Sequence, residues 1–581
     1  MLYPRLEIMN LSIRTLPADV VYLIAAGEVI DSLAAAVREL VENALDARAS
    51  RITISLWPSQ WRVRVADNGI GMELADLQEA AKPHSTSKIS SCEDLWKITS
   101  LGFRGEALHS LAALACLEIL SRGAKSAEGW RVNYNSQGEA IAAVPAAIAP
   151  GTVVTVSDLF GTWEVRRQGL PSQSQQLQRI KATIEQIALC HPQITWQVQQ
   201  NDRDWFTISP GATARHILPQ IVREVRLNDL HQMSVEVPSK GAENPQSKIE
   251  HRNSKIQLLL GLPDKCHRHR PDWVRVAMNG RMVKSPELEQ TILGATVRTL
   301  PRDRYPICFL HLQICPSQID WNRHPAKAEI YLHQLSYWQE QVTGVIEQAL
   351  HLNVEVNERS PLASRVGTLL KAAEAKVAYG VSRSIQPTPD SKVATNAKEI
   401  GLIELRAVAQ VHNTYIVAEH AAGVWLIEQH IAHERVLYEQ LCDRWQIVPL
   451  EPPTILNDLS PARVEQLQRI GLDVEPFGEQ LWAVRTAPAI LRGRSDCPDA
   501  LKELACGGDL QAAQVAVACR TAIRNGTQLT LIEMQTLLEQ WQRTRHPRTC
   551  PHGRPIYLSL EESSLARFFR RHWVIGKSHG I

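Results

Sequence analysis

Glu39 and Asn43 lie four residues apart in RELVENALDA (38–47), so on a helix both side chains leave one face. A carboxylate and an amide oxygen one turn apart suit a water-activating base beside a ligand for Mg2+, a hard cation that seeks oxygen. The segment supports that helix, because Val37, Leu40, Val41, Ala44 and Leu45 follow the spacing of a buried stripe. In RVRVADNGIG (62–71), Val63 and Val65 alternate inward along a strand, and Asp67 shares their parity. A core-facing carboxylate needs a partner, and an adenine amino group would supply one. Gly69 and Gly71 then let the backbone turn tightly against a ligand. In GFRGEAL (102–108), Gly102 and Gly105 bracket Arg104 just before an apolar helix, as a phosphate-cradling loop at a helix N-terminus requires. Each segment alone is common: Glu and Asn one turn apart usually mark a solvated face, and Asp-Asn-Gly is an ordinary turn. All three in this order between Glu39 and Leu108 point to an ATP pocket unlike a Walker P-loop.

These segments resemble the nucleotide-binding motifs of the GHKL ATPases, the superfamily of gyrase B, Hsp90, sensor histidine kinases and MutL. GFRGEAL, with IAAGEVI (24–30) and HSTSKI (84–89), is similar to the MutL branch in particular. The resemblance implies that Glu39 orients the attacking water, Asn43 holds Mg2+ and Asp67 reads adenine, with Gly69 and Gly71 beside it. It implies a phosphate lid running from His84 through Lys88 to Gly102, Phe103, Arg104, Gly105 and Glu106. Gly151 and Thr152, in GTVVTVSDLF, match the last motif of that pocket.

The elements that must position these residues are legible in outline. At 581 residues the chain is too long for one core. It is 44% apolar and 21% charged, ordinary for a globular protein, and its net charge of +2 leaves duplex binding to local basic patches. The expected class is α+β multidomain. Residues 1–210 mix amphipathic helices with the alternating strands RITISL, WRVRVAD and TVVTVSD, which fits a GHKL (Bergerat) α/β sandwich. Residues 211–352 form a second α/β unit with strands IQLLLGL, WVRVAMNGRMV and ICFLHLQI; Asn279-Gly280 is a hairpin signal. Its closing string DWNRHPAKAEIYL (320–332) resembles the signature of the family's ribosomal-S5-like domain, where Lys327 would reach the terminal phosphate as a second catalytic residue. Residues 353–400 lose large apolar side chains and read as a flexible linker, with a transient helix at 365–378. An α+β C-terminal dimerisation domain is expected over 401–581.

A second set of residues opens that last domain. In EQHIAHERVLYEQL (428–441), His430 and Glu434 lie one turn apart, with Glu428 at the preceding strand end and ACR (518–520) and CPHGRP (550–555) far downstream. The ensemble resembles the metal-dependent endonuclease site of MutL proteins that cut DNA themselves. The resemblance implies Glu428, His430, Glu434, Cys519, Cys550 and His552 as metal ligands, and such a mixed set suits Zn2+ or Mn2+. The family's Asp is Glu at 428 and its Ala is Ile at 431, which carries one carboxylate a methylene further. His433 is expected to pack rather than bind, and CHRHR (266–270) is expected to be a basic loop that, with Arg275 and Arg281, contacts phosphates. GTWEVRRQG (161–169) departs from the family's string but keeps Arg166 and Arg167. Gln446-Ile447-Val448-Pro449 is a hint of a sliding-clamp motif, and ARFFRRHW (566–573) is a basic, aromatic helix-like end expected to pack in a dimer.

The expected function is an ATP-dependent mismatch-repair matchmaker, a homodimer that links a MutS-type sensor to downstream enzymes on DNA and carries a latent nicking activity. The alternative is an ATP-gated DNA clamp and recruiter with no nuclease of its own. A gyrase-like protein would need a carboxylate-rich domain after the S5-like unit, and a histidine kinase a phosphoacceptor helix before the ATP domain. MLYPRLEIMN lacks a secretory h-region, no apolar run is long enough for a membrane span, and the odd set of 11 cysteines reads as reduced. Those three points predict a cytoplasmic protein with no membrane partner. Met9 is an alternative first residue.

Overall fold

Strand β1 (Arg51–Trp57) buries Ile52, Ile54 and Leu56, and β2 (Arg62–Asp67) buries Val63 and Val65 on the same side. That alternation leaves one sheet face for helices to cover. The structure is a computed structural model, and it describes residues 18–89, 91, 94, 98–238, 254–301, 303–320, 331–351, 403–421, 423–562 and 565. Lys327 with its HPAK string, the linker at 353–400, residues 1–9 and the ARFFRRHW end lie outside the described residues. The chain divides into two compact units, Met1–Ala295 with Tyr305–Ala349, and Thr296–Arg304 with Leu350–Ile581.

In the first unit, β1 and β2 are joined by β3 (Cys116–Arg122), β4 (Gly129–Tyr134), β5 (Ala140–Ala146), β6 (Gly151–Ser157), β7 (Thr195–Gln200) and β8 (Arg203–Ile208). They form an eight-stranded sheet in the order β5-β4-β3-β6-β2-β1-β7-β8, antiparallel except for the β1–β7 pair. Helices α1 (Ala18–Val29), α2 (Leu33–Asp46), α3 (Leu74–Glu79), α4 (Ala107–Leu114) and α5 (Gln173–Cys190) accompany it. The α2 helix starts where Ser32 Oγ accepts from Ala35 N at 3.2 Å, a side-chain cap for an otherwise unpaired amide. Its buried face (Leu33, Ala36, Val37, Leu40, Val41 and Ala44) joins the same core as Ile52, Val63 and Val65.

A five-stranded sheet follows in the order β12-β11-β13-β10-β9, built from β9 (Leu230–Val237), β10 (Ser254–Gly261), β11 (Val274–Met278), β12 (Arg281–Val283) and β13 (Cys308–Gln313). The expected hairpin forms at Asn279-Gly280, both with positive φ, as the right-handed twist of the flanking strands favours. Leu230, Leu259, Ala277, Ile307 and Phe309 belong to the same continuous core as the first sheet, so the two α/β parts share their interior.

The apolar helix expected after the glycine loop forms but covers only part of the apolar run at 106–120: α4 stops at Leu114, Ala115 is extended, and β3 begins at Cys116. Cys116–Arg122 alternates buried with less buried residues and pairs with β4 and β6. An apolar run this short does not distinguish helix from strand by composition; two waiting sheet neighbours decide it.

The second unit holds a four-stranded antiparallel sheet in the order β14 (Arg406–Val411), β15 (Tyr415–His420), β16 (Gly423–Glu428) and β20 (Tyr557–Glu561). It also holds a three-stranded sheet in the order β17 (Ile447–Asn457), β19 (Leu481–Pro488), β18 (Val474–Gly478). Ile416, Ala418, Trp425 and Ile427 pack one face of the first sheet against α6 (Gln429–Asp443) and α8 (Leu531–Gln542). Helix α7 (Leu510–Thr521) belongs to the core of the second sheet. Among the described residues, no helix is long and apolar enough to cross a membrane.

Candidate nucleotide pocket and metal centre

The predicted face of α2 points Asn43, with Asp46 three residues on, to the side where the loops at 84–88 and 101–106 meet. Glu39 is nearly buried, with Oε1 at 3.4 Å from the Arg38 guanidinium. The ammonium of Lys88 stands 3.0 Å from Asn43 Oδ1 and 2.5 Å from Asp46 Oδ2. It therefore marks a point where two oxygen donors of α2 converge on one positive charge, as a site for Mg2+ requires. Asp46 also accepts from the amides of Leu101 (2.8 Å) and Gly102 (3.0 Å), which ties the start of the glycine loop to the helix. The two loops are in close contact: a Cβ on Gly105 would meet Ser85 O at 2.7 Å, and His84 Nδ1 contacts the Glu106 carboxylate. Phe103 is buried and Arg104 lies over its ring.

Asp67 ends β2 beside Thr152 of β6. Gly69 N donates to its Oδ1 at 2.8 Å. Gly71, at φ +67°, has the carbonyl of Arg122 1.9 Å from the place a Cβ would take, so no other residue fits that turn. Thr152 Oγ1 and Ser121 Oγ share a hydrogen bond of 2.9 Å, and Ser121 Oγ accepts from Met72 N, which fixes the loop after Gly71.

Burial pushes the Asp67 carboxyl up to about 6, against the lowering effect of the Gly69 and Thr152 amides. Between about pH 4 and 6 the folded protein keeps a proton the unfolded chain has lost, so this group's contribution to stability falls as pH rises through that window. At pH 7 the ionised carboxylate costs roughly 2–3 kcal/mol. Asp67→Asn is therefore expected to raise the melting temperature of the nucleotide-free protein by about 2–5 °C. The same variant should lose the further rise that Mg2+–ADP gives the wild type. Scanning calorimetry at pH 7 with and without Mg2+–ADP checks both; a variant still stabilised by ADP contradicts the adenine role.

In the second unit, β16 delivers the chain to α6, and Glu428 is the cap of that helix: its Oε2 accepts from Ile431 N at 2.5 Å. Two residues in, His430 Nδ1 donates to Ile523 O at 2.9 Å, which leaves Nε2 as the acceptor facing Cys519 Sγ at 3.9 Å. Glu434 is fully buried, with Oε1 2.8 Å from His552 Nδ1 and Oε2 3.1 Å from the Arg554 guanidinium. Two groups of potential ligand atoms result, His430–Glu434–Cys519 and Glu434–Cys550–His552, each within 4.8 Å, and Glu434 belongs to both. Glu428 lies outside both groups, and the helix cap engages one of its oxygens.

Charge in this cluster is redistributed. Burial raises the Cys550 thiol, but His552 and Arg554 more than offset it and hold it below its ordinary value. Cys550 and Glu434 push His552 up to about 9. Two imidazoles, two sulfurs and a shared carboxylate in two such groups are the donor chemistry of a Zn2+ or Mn2+ site. His433 instead accepts from Ile523 N at 2.9 Å and packs, as expected.

The comparisons with known proteins decide the family. The chain is 64% identical over 575 residues to "DNA mismatch repair protein MutL" of Trichormus variabilis, covering 99% of this chain and 100% of that protein. It belongs to the MutL family of DNA mismatch repair proteins. A further relative, of Rippkaea orientalis, carries the same name and is 62% identical, covering 99% of this chain and 100% of its own. Residues 31–158 match the family described as histidine kinase-, DNA gyrase B-, and HSP90-like ATPase. Residues 239–351 match the DNA mismatch repair protein C-terminal domain, and 408–529 the MutL C-terminal dimerisation domain. The Aquifex aeolicus MutL ATPase domain complexed with ADP is 19% identical, covering 49% of this chain and 92% of that one, at a TM-score of 0.35. A likeness that weak carries no weight here.

The structure corrects the sequence reading for this MutL chain at Arg281 and adds contacts at three other places. Arg281 was expected at phosphates, but its side chain is buried against Glu42 of α2. CHRHR is a basic loop, yet its Arg268 pairs with Asp272 and Glu224. Arg166 donates to Gly27 O at 2.9 Å, and Arg167 to Leu159 O at 2.8 Å, so both pin the loop that departs from the family string. Ile447, Val448 and Pro449 are paired with β19, which engages the backbone of the clamp-like string. Asp46 and Arg554 went unassigned in the sequence. Asp46 stands in RELVENALDA three residues after Asn43, on the same helix face, a signal that could have found it.

Proposed function

We propose that this MutL-family chain is an ATP-dependent mismatch-repair matchmaker on DNA, responding to a MutS-type sensor, with a metal-dependent nicking activity in its second unit. Glu39 is the base that orients water toward the γ-phosphate, Asn43 offers its amide oxygen to Mg2+, and Asp67 with Gly69, Gly71 and Thr152 receives adenine. Lys88 and the loop Gly102-Phe103-Arg104-Gly105-Glu106 surround the phosphates. What supports this reading is the convergence of Lys88, Asn43 and the Gly102 amide on one end of α2. His430, Glu434, Cys519, Cys550 and His552 would hold Zn2+ or Mn2+, which when bound supplies Lewis acidity at a phosphodiester.

The observation that carries the cutting activity is the shared, fully buried Glu434 between two ligand groups. A recruiter with no nuclease would keep the same carboxylate only as an ion-pair partner of His552 and Arg554, so nicking itself separates the two readings. The test is nicking of supercoiled plasmid by the purified protein with Mn2+. Nicked circles are expected. If none form even with ATP and a sliding clamp present, the clamp-and-recruiter reading replaces this one.

Dimerisation has a physical basis in the same unit. Opposite the helices, the four-stranded sheet presents Val411, Tyr415, Val417, Leu426 and Leu558, of which Leu558 is 57% exposed. Apolar side chains gathered on one open sheet face suit a second copy of the chain. Leu558→Asp is expected to weaken the dimer by about a hundredfold or more, by burying a like charge on each side of the interface. Sedimentation equilibrium with circular dichroism as a fold control checks it; an unchanged dimer sends the interface elsewhere.

A further inference from the structure

Arg281 opens β12, in the five-stranded sheet, yet its side chain ends inside the nucleotide machinery of the other sheet. Its side chain is 8% exposed and its partner Glu42 is 5% exposed. One terminal nitrogen, Nη2, donates both to Glu42 Oε2 and to Leu101 O, the latter at 2.7 Å. Glu42 sits immediately before Asn43 and three residues after Glu39 on α2. Leu101 immediately precedes Gly102, and its own amide is held by Asp46 at 2.8 Å. The Leu101 residue is thus held at its nitrogen by α2 and at its oxygen by Arg281.

We infer that Arg281 is a positioning residue for ATP hydrolysis: it locks the α2 face bearing Glu39 and Asn43 to the start of the phosphate loop. The inference rests on the ATPase reading above. Release of Nη2 would remove the hold on the Leu101 carbonyl and loosen Leu101 where its amide meets Asp46. Gly102 would move with it, and the Lys88 ammonium lies only 2.9 Å from where a Gly102 Cβ would stand. Because Arg281 belongs to the second sheet, a shift of that sheet against the first would reach the phosphate loop through the Arg281 guanidinium. Nothing of this kind is available to a surface arginine at phosphates, where the guanidinium would be solvated.

The hazard in testing a buried ion pair is that removal of one partner strands the other. The decisive protein is therefore the full-length double variant Glu42→Gln with Arg281→Met, which strands no charge and keeps side-chain volume. It is expected to melt within about 3 °C of wild type. Its kcat for ATP should fall about tenfold or more, while KM stays within about threefold, since a small misplacement of the phosphate loop acts on the reacting geometry. A wild-type kcat in the double variant overturns the inference. So does a rise in KM with kcat unchanged, or loss of the folded state, which would make the pair structural alone. Wild-type turnover in the same assay separates the two readings: no hydrolysis there defeats the ATPase reading itself.

Discussion

Glu39→Ala is expected to bind Mg2+–ATP within about threefold of wild type and to lose turnover by about 10²–10⁴-fold, the range a positioned general base contributes. The physical argument is local. Glu39 leaves α2 one turn before Asn43, and the face they share ends at the oxygen pair that Lys88 contacts. The helix itself does not depend on the carboxylate, because its buried stripe and the Ser32 cap are untouched. Alanine is also the strongest helix former, so folding should not suffer. Equilibrium binding of a fluorescent nucleotide and steady-state phosphate release, measured on the same preparation, check the two halves. Hydrolysis at the wild-type rate would remove Glu39 from the reaction.

Glu434→Gln carries the second large effect. Because Glu434 is common to both ligand groups, one substitution removes a donor charge from each. Loss of partners that merely orient ligands costs roughly 10–100-fold in metal affinity; loss of a shared ligand should exceed that. Glutamine preserves volume and an acceptor oxygen toward Arg554, so the fold control should pass. Elemental analysis after dialysis is expected to show less than about a tenth of the wild-type Zn2+ or Mn2+, with plasmid nicking lost in parallel. ATP turnover should be unchanged, since the pocket is built from the other unit. Retained metal with retained nicking would place the centre elsewhere. His430→Ala should behave in the same direction, whereas Glu428→Gln should mainly weaken the start of α6, by about 1 kcal/mol.

Glu428 also shows why the sequence comparison stopped short at this site. The extra methylene relative to the family's Asp looks like a defect in a ligand. In the structure the same side chain accepts from Ile431 N and caps α6, a role more often filled by a shorter carboxylate such as Asp. One string of letters therefore fits two placements, and only the positions of β16 and β20 relative to α6 choose between them.

The residues whose role depends on short-range geometry were legible from the chain alone. The i, i+4 relation of Glu39 to Asn43 and of His430 to Glu434 follows from 3.6 residues per turn. The inward parity of Val63, Val65 and Asp67 follows from the pleat, and the Asn279-Gly280 hairpin from two residues that accept positive φ. These constraints act within a few residues, so they survive in any tertiary context. Tertiary structure decided the rest. Glu42 and Arg281 stand 239 residues apart, and a charged pair at that separation has no local signature. The run at 106–120 became helix then strand because β4 and β6 offered Cys116–Arg122 its hydrogen bonds. Cys519 and Cys550 meet around Glu434 only once α6, α7 and the turn before β20 are in place. The same holds at Asn43: its spacing named a cation ligand, but only the folded loops bring to its oxygen the Lys88 ammonium that it shares with Asp46. Local periodicity decides which face a side chain leaves, and long-range strand pairing and packing decide what it meets there.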